Sequence, residues 1–283
     1  MEVKALAKLN LSLDVLGKRP DGYHDMKMVM QSITLCDTIT VEDNGGQGIR
    51  VSSNVGFLPT NEKNLAVAAA LRFYESLGRD PRGIDLTLDK SIPVCAGMAG
   101  GSSDAAAVLR ALNEMEGKPY GLMELAKVGE KVGSDVPYCV LGTTALAEGR
   151  GEVLTTLPAL PKCWVVVCKP DFPVSTPELF GKIDRCKVRC RPDTEGIMSA
   201  LEAGDLEGVA RRMYNVFEDV LPERQRARVL DIKNTLIQCG ALGANMSGTG
   251  PTAFGLFRDE NAAKIAYEQL KEQYQETYLA QTV

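Results

Sequence analysis

Apolar residues at Val3, Leu6, Leu9, Leu11, Leu13 and Val15 alternate loosely with polar ones, so a strand is expected over residues 3–16. Lys8 and Asn10 interrupt it on one face, which is either solvated or turned towards a ligand. After the turn signal Arg19-Pro20-Asp21-Gly22, a second strand is expected over 28–41, broken at Cys36-Asp37. Residues 44–48 have the composition of a hairpin turn, with a strand at 49–53 and a loop at 54–61. The period then changes: Leu65, Val67, Ala68, Leu71, Phe73 and Leu77 predict a helix over 62–77, stopped by Gly78. A short alternating strand follows at 84–88.

Residues 93–109, PVCAGMAGGSSDAAAVL, pass from glycines and other small residues straight into a helical pattern. Ala105, Val108, Leu109, Leu112 and Met115 predict a helix from about Asp104 to Glu116, with Ser102 and Ser103 as N-cap residues. A helix over 122–132 closes at Gly133. Ser134-Asp135 then stand between it and an expected strand that begins near Pro137. Strands at 144–148 and 152–157 lead to Pro158 and Pro161, which bracket a domain joint. Beyond the joint, the apolar run CWVVVC at 163–168 reads as a buried strand, followed by a loop and a polar stretch at 182–192 with no period. Helices are expected at 194–203, 206–213, 224–238 and 261–273. Strands are expected at 240–246, 253–257 and 277–282, with a glycine-rich turn, SGTGPT, at 247–252. This alternation suggests an α+β sandwich for the second half.

Composition narrows the functional classes. Hydrophobic residues at 45% and charged residues at 24% are those of an ordinary globular chain. A net charge of −5 argues against a general nucleic-acid binder or a membrane-surface protein. No secretory leader pattern and no long apolar run is read, so the expected location is cytoplasmic. The 8 cysteines form no C-x-x-C pair and there is 1 histidine, which argues against a structural zinc site.

The chemistry suggested by the pattern is anion binding. A glycine-rich loop entering a helix offers unpaired N–H groups and the positive end of a helix dipole to a phosphate. Such loops also occur as plain turns, and this one has neither the Walker A nor the dinucleotide spacing. Asp135 is either a turn former or a base placed at an element end. Tyr23 and His24, directly after a turn, are either structural or suited to a planar ligand.

Three stretches in fixed order carry a family resemblance: the AKLNL strand, the P-x3-G-M-x-G-G-S-S loop before a helix, and the late SGTGPTAF turn. Together they resemble the galactokinase, homoserine kinase, mevalonate kinase and phosphomevalonate kinase (GHMP kinase) superfamily. AK-x-N-L followed by R-x-DGYH, with GSDVPYCVLG, narrows the resemblance to members that act on a cytidine-diphospho-methylerythritol. The matches run from Ala7 to about Phe257, with little of the resemblance in 182–242.

That resemblance implies a two-domain α+β GHMP kinase fold. Residues 1–158 would form an N-terminal domain with a left-handed βαβ unit, and residues 159–283 a ferredoxin-like C-terminal α/β sandwich, with a substrate cleft between them. It implies ATP-dependent phosphorylation of one hydroxyl in the non-mevalonate route to isoprenoid precursors, without nucleic-acid or membrane partners. Main-chain N–H groups along Pro93, Val94, Cys95, Ala96, Gly97, Met98, Ala99, Gly100, Gly101, Ser102 and Ser103 would wrap the ATP phosphates. Mg²⁺ would accompany them, with Ser102 and Ser103 as candidate oxygen ligands beside phosphates and water.

Asp135 would take the substrate hydroxyl proton, while Lys8 orients it and balances charge. Asn10 would contact substrate polar groups. Tyr23 would stack on cytosine and His24 would bond its edge, with Phe180 either on the base's other side or an ordinary core residue. Gly248, in the 247–250 turn, would approach the transferred phosphate or the methylerythritol end. Cys95 and Ala99 depart from the small residues usual in this loop. Alanine at a positive φ is strained, so Ala99 adopts an ordinary conformation or the loop geometry differs. Two rival readings are a kinase of a smaller alcohol and a non-catalytic binder on the same fold. DGYH speaks against the first, and intact Lys8, Asp135 and loop against the second.

Overall fold

Two long strands, β1 (Glu2–Lys18) and β2 (His24–Gln47), run through both compact units of the chain. The computed structural model describes residues 1–188 and 190–283; Arg189, inside the polar 182–192 stretch, lies outside the described residues. The first unit comprises Met1–Ala7, Cys36–Val94 and Ala99–Gly142; the second comprises Lys8–Leu35, Cys95–Met98 and Thr143–Val283. These units interleave along the chain, whereas a division at Pro158 follows chain order.

In the first unit, the later half of β2 pairs antiparallel with β4 (Arg82–Asp89), and β3 (Ile49–Ser53) pairs parallel with β4. Helices α1 (Leu65–Ser76), α2 (Gly100–Met115), α3 (Leu122–Glu130) and α4 (Val136–Leu141) pack on one another. Ala105, Ala106, Ala107 and Ala111 bury small faces of α2, which lets neighbouring helices come close. At Gly129 a Cβ would lie 2.7 Å from Val136 Cγ1, so only glycine admits the α3–α4 contact without a shift.

In the second unit, the first half of β2 pairs with β5 (Ala145–Gly149), and β5 with β6 (Val153–Thr156). The chain continues through β7 (Trp164–Lys169), α5 (Thr176–Ile183), α6 (Thr194–Glu202), α7 (Leu206–Arg212) and the two-residue β8 (Tyr214–Asn215). β8 pairs parallel with β1 at Ser12 and Leu13. A 3₁₀ turn, Val216–Val220, precedes α8 (Glu223–Gln238), β9 (Gly243–Met246), β10 (Ala253–Phe257), α9 (Glu260–Lys271) and β11 (Glu276–Gln281). The antiparallel sheet β11-β7-β10-β9, with α8 and α9 packed on it, is the ferredoxin-like arrangement of two interleaved βαβ halves. β7 occupies an inner position of that sheet, which explains its unbroken apolar run: Val165 to Cys168 are fully buried. Helix starts in this unit follow capping chemistry, as Asp193, Asp205 and Asp259 accept from Gly196, Gly208 and Ala262 N–H at 2.8–3.0 Å.

Several expectations are corrected. β2 is continuous through Cys36-Asp37, because the Asp37 carboxylate finds buried donors instead of solvent. Residues 44–48 are not a hairpin turn joining paired strands: β2 reaches Gln47 with a register shift after Asp43, and β3 pairs with β4. α1 begins at Leu65, where Asn64 Oδ1 accepts from Ala66 N at 3.0 Å. The segment after Asp135 is a helix and not a strand, with Pro137 in its first turn, where a missing N–H costs nothing. α5 occupies a segment read as loop; its proline and short length hid the helical period.

Candidate active site

In the second unit, the AKLNL strand, the glycine-rich loop and the late glycine turn meet at Asn10. Its Oδ1 accepts from Lys8 Nζ at 2.6 Å and from Gly248 N at 2.9 Å, and its backbone N donates to Ser247 Oγ at 3.3 Å. Lys8 Nζ also donates to Gly97 O at 3.0 Å, as does Ser247 Oγ at 2.9 Å. Lys8 N donates to Met98 O at 3.1 Å. The turn is anchored from behind by Asn215 Nδ2, which donates to Met246 O and Gly248 O at 2.7 and 2.8 Å. Lys8 is 4% exposed and Asn10 0%, so the solvated-face alternative is excluded. Two glycines make the approach possible. A Cβ on Gly97 would lie 2.2 Å from Ser247 O, and one on Gly248 would lie 2.8 Å from Gly97 O.

The loop itself carries alternating left-handed residues: Cys95 at φ 54°, Gly97 at φ 73° and Ala99 at φ 58°. Ala99 therefore takes the strained conformation rather than the ordinary one. It is also the N-cap of α2, and it has no side-chain oxygen with which to cap it. The helix starts four residues before the expected Asp104, so Ser102 and Ser103 are helical residues and not N-caps. First-turn N–H groups of α2 thus have no side-chain cap, the arrangement that suits a phosphate oxygen. The two serines differ. Ser103 is buried and donates to Leu6 O at 2.6 Å, whereas Ser102 is half-exposed.

Beneath the start of α2 lies a buried ion cluster. Lys90 Nζ donates to Asp104 Oδ2 at 2.6 Å and to Asp37 Oδ2, while Asp37 Oδ1 accepts from Ser91 N and Ile92 N at 2.6 and 2.7 Å. One lysine serves two carboxylates, and Asp104 Oδ1 has no hydrogen-bond partner among the described residues. Burial pushes the Asp104 carboxyl up to about 7, against the opposing pull of Lys90. Asp135 holds the N-cap position of α4, half-buried, yet its carboxylate makes no capping bond to that helix.

Around the DGYH motif, consecutive residues separate. Tyr23 is 56% exposed, with the Arg150 guanidinium 5.2 Å from its ring centroid. His24 is buried, stacked on Phe180 at 4.5 Å between centroids, and Phe180 meets Phe217 edge-on at 5.0 Å. His24 Nε2 lies 2.7 Å from Asp184 Oδ1. Hydrogen bonding to His24, and secondarily to Lys18, holds the Asp184 carboxyl below its ordinary value. Asp184 was not singled out by sequence, because it stands in the stretch without a period and 160 residues from its partner. Lys90, Asp37 and Asp104 were missed as well; a lysine and an aspartate flanking the glycine-rich loop were the available signal.

Comparison with known proteins completes the picture. The family model described as GHMP kinases N terminal domain matches residues 64–143, and that described as GHMP kinases C terminal matches residues 197–276. A 4-diphosphocytidyl-2-C-methyl-D-erythritol kinase of Alkaliphilus metalliredigens is 44% identical over 282 residues, covering 100% of this chain and 96% of the relative. One from Clostridium botulinum (strain Alaska E43 / Type E3) is 44% identical with both chains covered in full. A solved 4-(cytidine 5'-diphospho)-2C-methyl-D-erythritol kinase superposes with a TM-score of 0.82 at 32% identity, covering 100% and 99% of the two chains. A homoserine kinase from Cytophaga hutchinsonii, at 20% identity and TM-score 0.75, shares the fold.

Proposed function

Because the chain belongs to the 4-diphosphocytidyl-2-C-methyl-D-erythritol kinase family of GHMP kinases, we propose that it phosphorylates a hydroxyl of 4-(cytidine 5'-diphospho)-2-C-methyl-D-erythritol. The products are the 2-phosphate and ADP, in the non-mevalonate route to isoprenoid precursors. The observation that carries this reading is the convergence of Lys8, Asn10, Gly97 and Gly248, residues of three separate motifs, in one buried hydrogen-bond knot.

Phosphoryl transfer needs a positioned hydroxyl, a cradled nucleotide and neutralised charge. We assign the phosphates of ATP to main-chain N–H groups of residues 93–103, supported by the uncapped start of α2. Asp135 accepts the hydroxyl proton and Lys8 balances the developing charge. Asn10 and Gly248 contact polar substrate groups, and Tyr23, His24 and Phe180 form the cytosine end. When bound, Mg²⁺ would supply charge neutralisation at the β- and γ-phosphates. Ser102 fits it better than Ser103, whose hydroxyl is engaged by Leu6 O. Residues 1–158 are taken as the domain carrying the nucleotide loop and 159–283 as its C-terminal partner. None of the 8 cysteines is in a disulfide, which suits the reducing cytoplasm.

The test is ADP release in a coupled assay with the cytidine-diphospho-methylerythritol, against mevalonate and homoserine. Turnover only with a control alcohol, or with none, overturns the reading. In the same assay Asp135→Asn is expected to lower kcat by roughly 10²–10⁴, the usual scale for loss of a general base. Near-normal turnover would leave the chemistry to positioning and charge balance.

A further inference from the structure

We propose that Asp184 is a positioning residue that fixes His24 as a hydrogen-bond acceptor for the exocyclic amino group of a cytosine, and so selects cytosine over uracil. The inference rests on the cytidine substrate of the proposed function. It begins with chemistry at one atom. The Asp184 carboxylate lies 2.7 Å from His24 Nε2 and 3.3 Å from Lys18 Nζ. An ionised carboxylate only accepts hydrogen bonds, so Nε2 carries the proton and donates it. In a neutral imidazole the other nitrogen, Nδ1, is then an acceptor. Nδ1 has no hydrogen-bond partner among the described residues.

Geometry holds the ring to this task. Phe180 stacks on one face of His24 and is itself braced edge-on by Phe217, which holds the plane of the imidazole, while turning the ring over in that plane would break the bond to Asp184. His24 and Asp184 line a cavity of about 680 Å³ together with Lys18, Lys187 and Arg191. Cytosine presents an amino donor where uracil presents a carbonyl acceptor. An acceptor-only nitrogen bonds the first and repels the second. The same ring with its proton on Nδ1 would have the opposite preference.

The chain has 1 histidine, so [¹⁵N]histidine labelling reads His24 alone. In the full-length protein at about pH 8.5 the Nε2–H tautomer should dominate. Asp184→Asn, whose amide can donate as well as accept, should admit the Nδ1–H tautomer. It should also raise KM for the cytidine-diphospho substrate by roughly tenfold or more, the scale of a lost charge-assisted bond. kcat and the KM for ATP should stay within about threefold, the split that marks lost ground-state binding. Discrimination against the uridine-diphospho analogue should fall by a similar factor, and Asp184→Glu should restore part of both effects. A dominant Nδ1–H or doubly protonated ring in the unsubstituted protein overturns the proposal without need of any variant. So does an Asp184→Asn protein with unchanged KM and unchanged discrimination. If the unsubstituted enzyme turns over no cytidine substrate, the underlying functional reading fails instead, whatever the tautomer.

Discussion

The knot at Asn10 and the ion cluster at Lys90 are both buried and polar, and they solve the problem of burial differently. At Asn10, a neutral amide oxygen is shared by a lysine and a glycine N–H, and the turn opposite is tied down by Asn215 through two backbone carbonyls. At Lys90, one ammonium faces two carboxylates that are 0% and 4% exposed. Asp37 offsets its burial with two main-chain donors, while Asp104 leaves one oxygen unpartnered among the described residues. A neutral amide at the centre of a network has no proton of its own to gain or lose as pH changes. A cluster with more acids than bases also holds its elements together, but its strength depends on whether the surplus acid is protonated.

The comparison can be broken most severely at Lys90. Lys90→Met leaves two buried carboxylates without their cation and should cost about 3–5 kcal/mol of unfolding free energy at neutral pH, measured by denaturant titration. A loss under about 1 kcal/mol, the range of exposed pairs, would mean the cluster is solvated in practice.

A second break is Asn10→Leu, which keeps the branched shape and heavy-atom count but removes the acceptor for Gly248 N and Lys8 Nζ. A loss of about 2–3 kcal/mol is expected, the scale of buried donors left unmatched. The ATP turnover of this variant should fall too, because the turn and loop lose their common anchor. A stable and fully active Asn10→Leu protein would show that the glycine contacts alone align the site.

The sharpest discriminator is a slope. With its carboxyl raised from 3.8 to about 7, Asp104 binds its proton more tightly in the folded state than in the unfolded one. Folded-state stability from this group is therefore fully present below about pH 4 and is lost as pH rises towards 7. Asp104→Asn should remove that decline, so the difference in midpoint between variant and parent should change steadily across this interval. A pH-independent difference would show that Lys90 keeps Asp104 ionised throughout. Carboxylates held below their ordinary value, such as Asp184 and Asp85, act with the opposite sign at lower pH and cancel in the comparison.

Much of the fold was readable because period and capping are local. The α+β sandwich of the second half follows from helix–strand alternation, its ferredoxin-like character from the family resemblance, and CWVVVC reads as a buried strand by being apolar throughout. The errors arose where a distant partner overrode a local preference. Cys36-Asp37 looked like a strand break because a charge in a strand normally seeks water; it remains in β2 because Ser91, Ile92 and Lys90 supply donors there. Ser102 and Ser103 looked like caps, yet α2 starts earlier, on an alanine held at positive φ. α5 escaped notice because a short helix with proline in its first turn shows too few repeats of its period.

The same division applies to the candidate site. Sequence alone determined which residue types are present and in what order: a lysine and an asparagine on one strand face, a glycine loop, an aspartate before a proline, and an aromatic–histidine pair. Tertiary structure alone decided that Asn10, Gly97 and Gly248 meet in one network, that Ser103 is buried and engaged while Ser102 is half-exposed, and that His24 is oriented by Asp184. The reason is physical. Residue spacing along a chain specifies the faces of single elements, but a hydrogen bond between residues 160 or 238 positions apart exists only after the elements have packed.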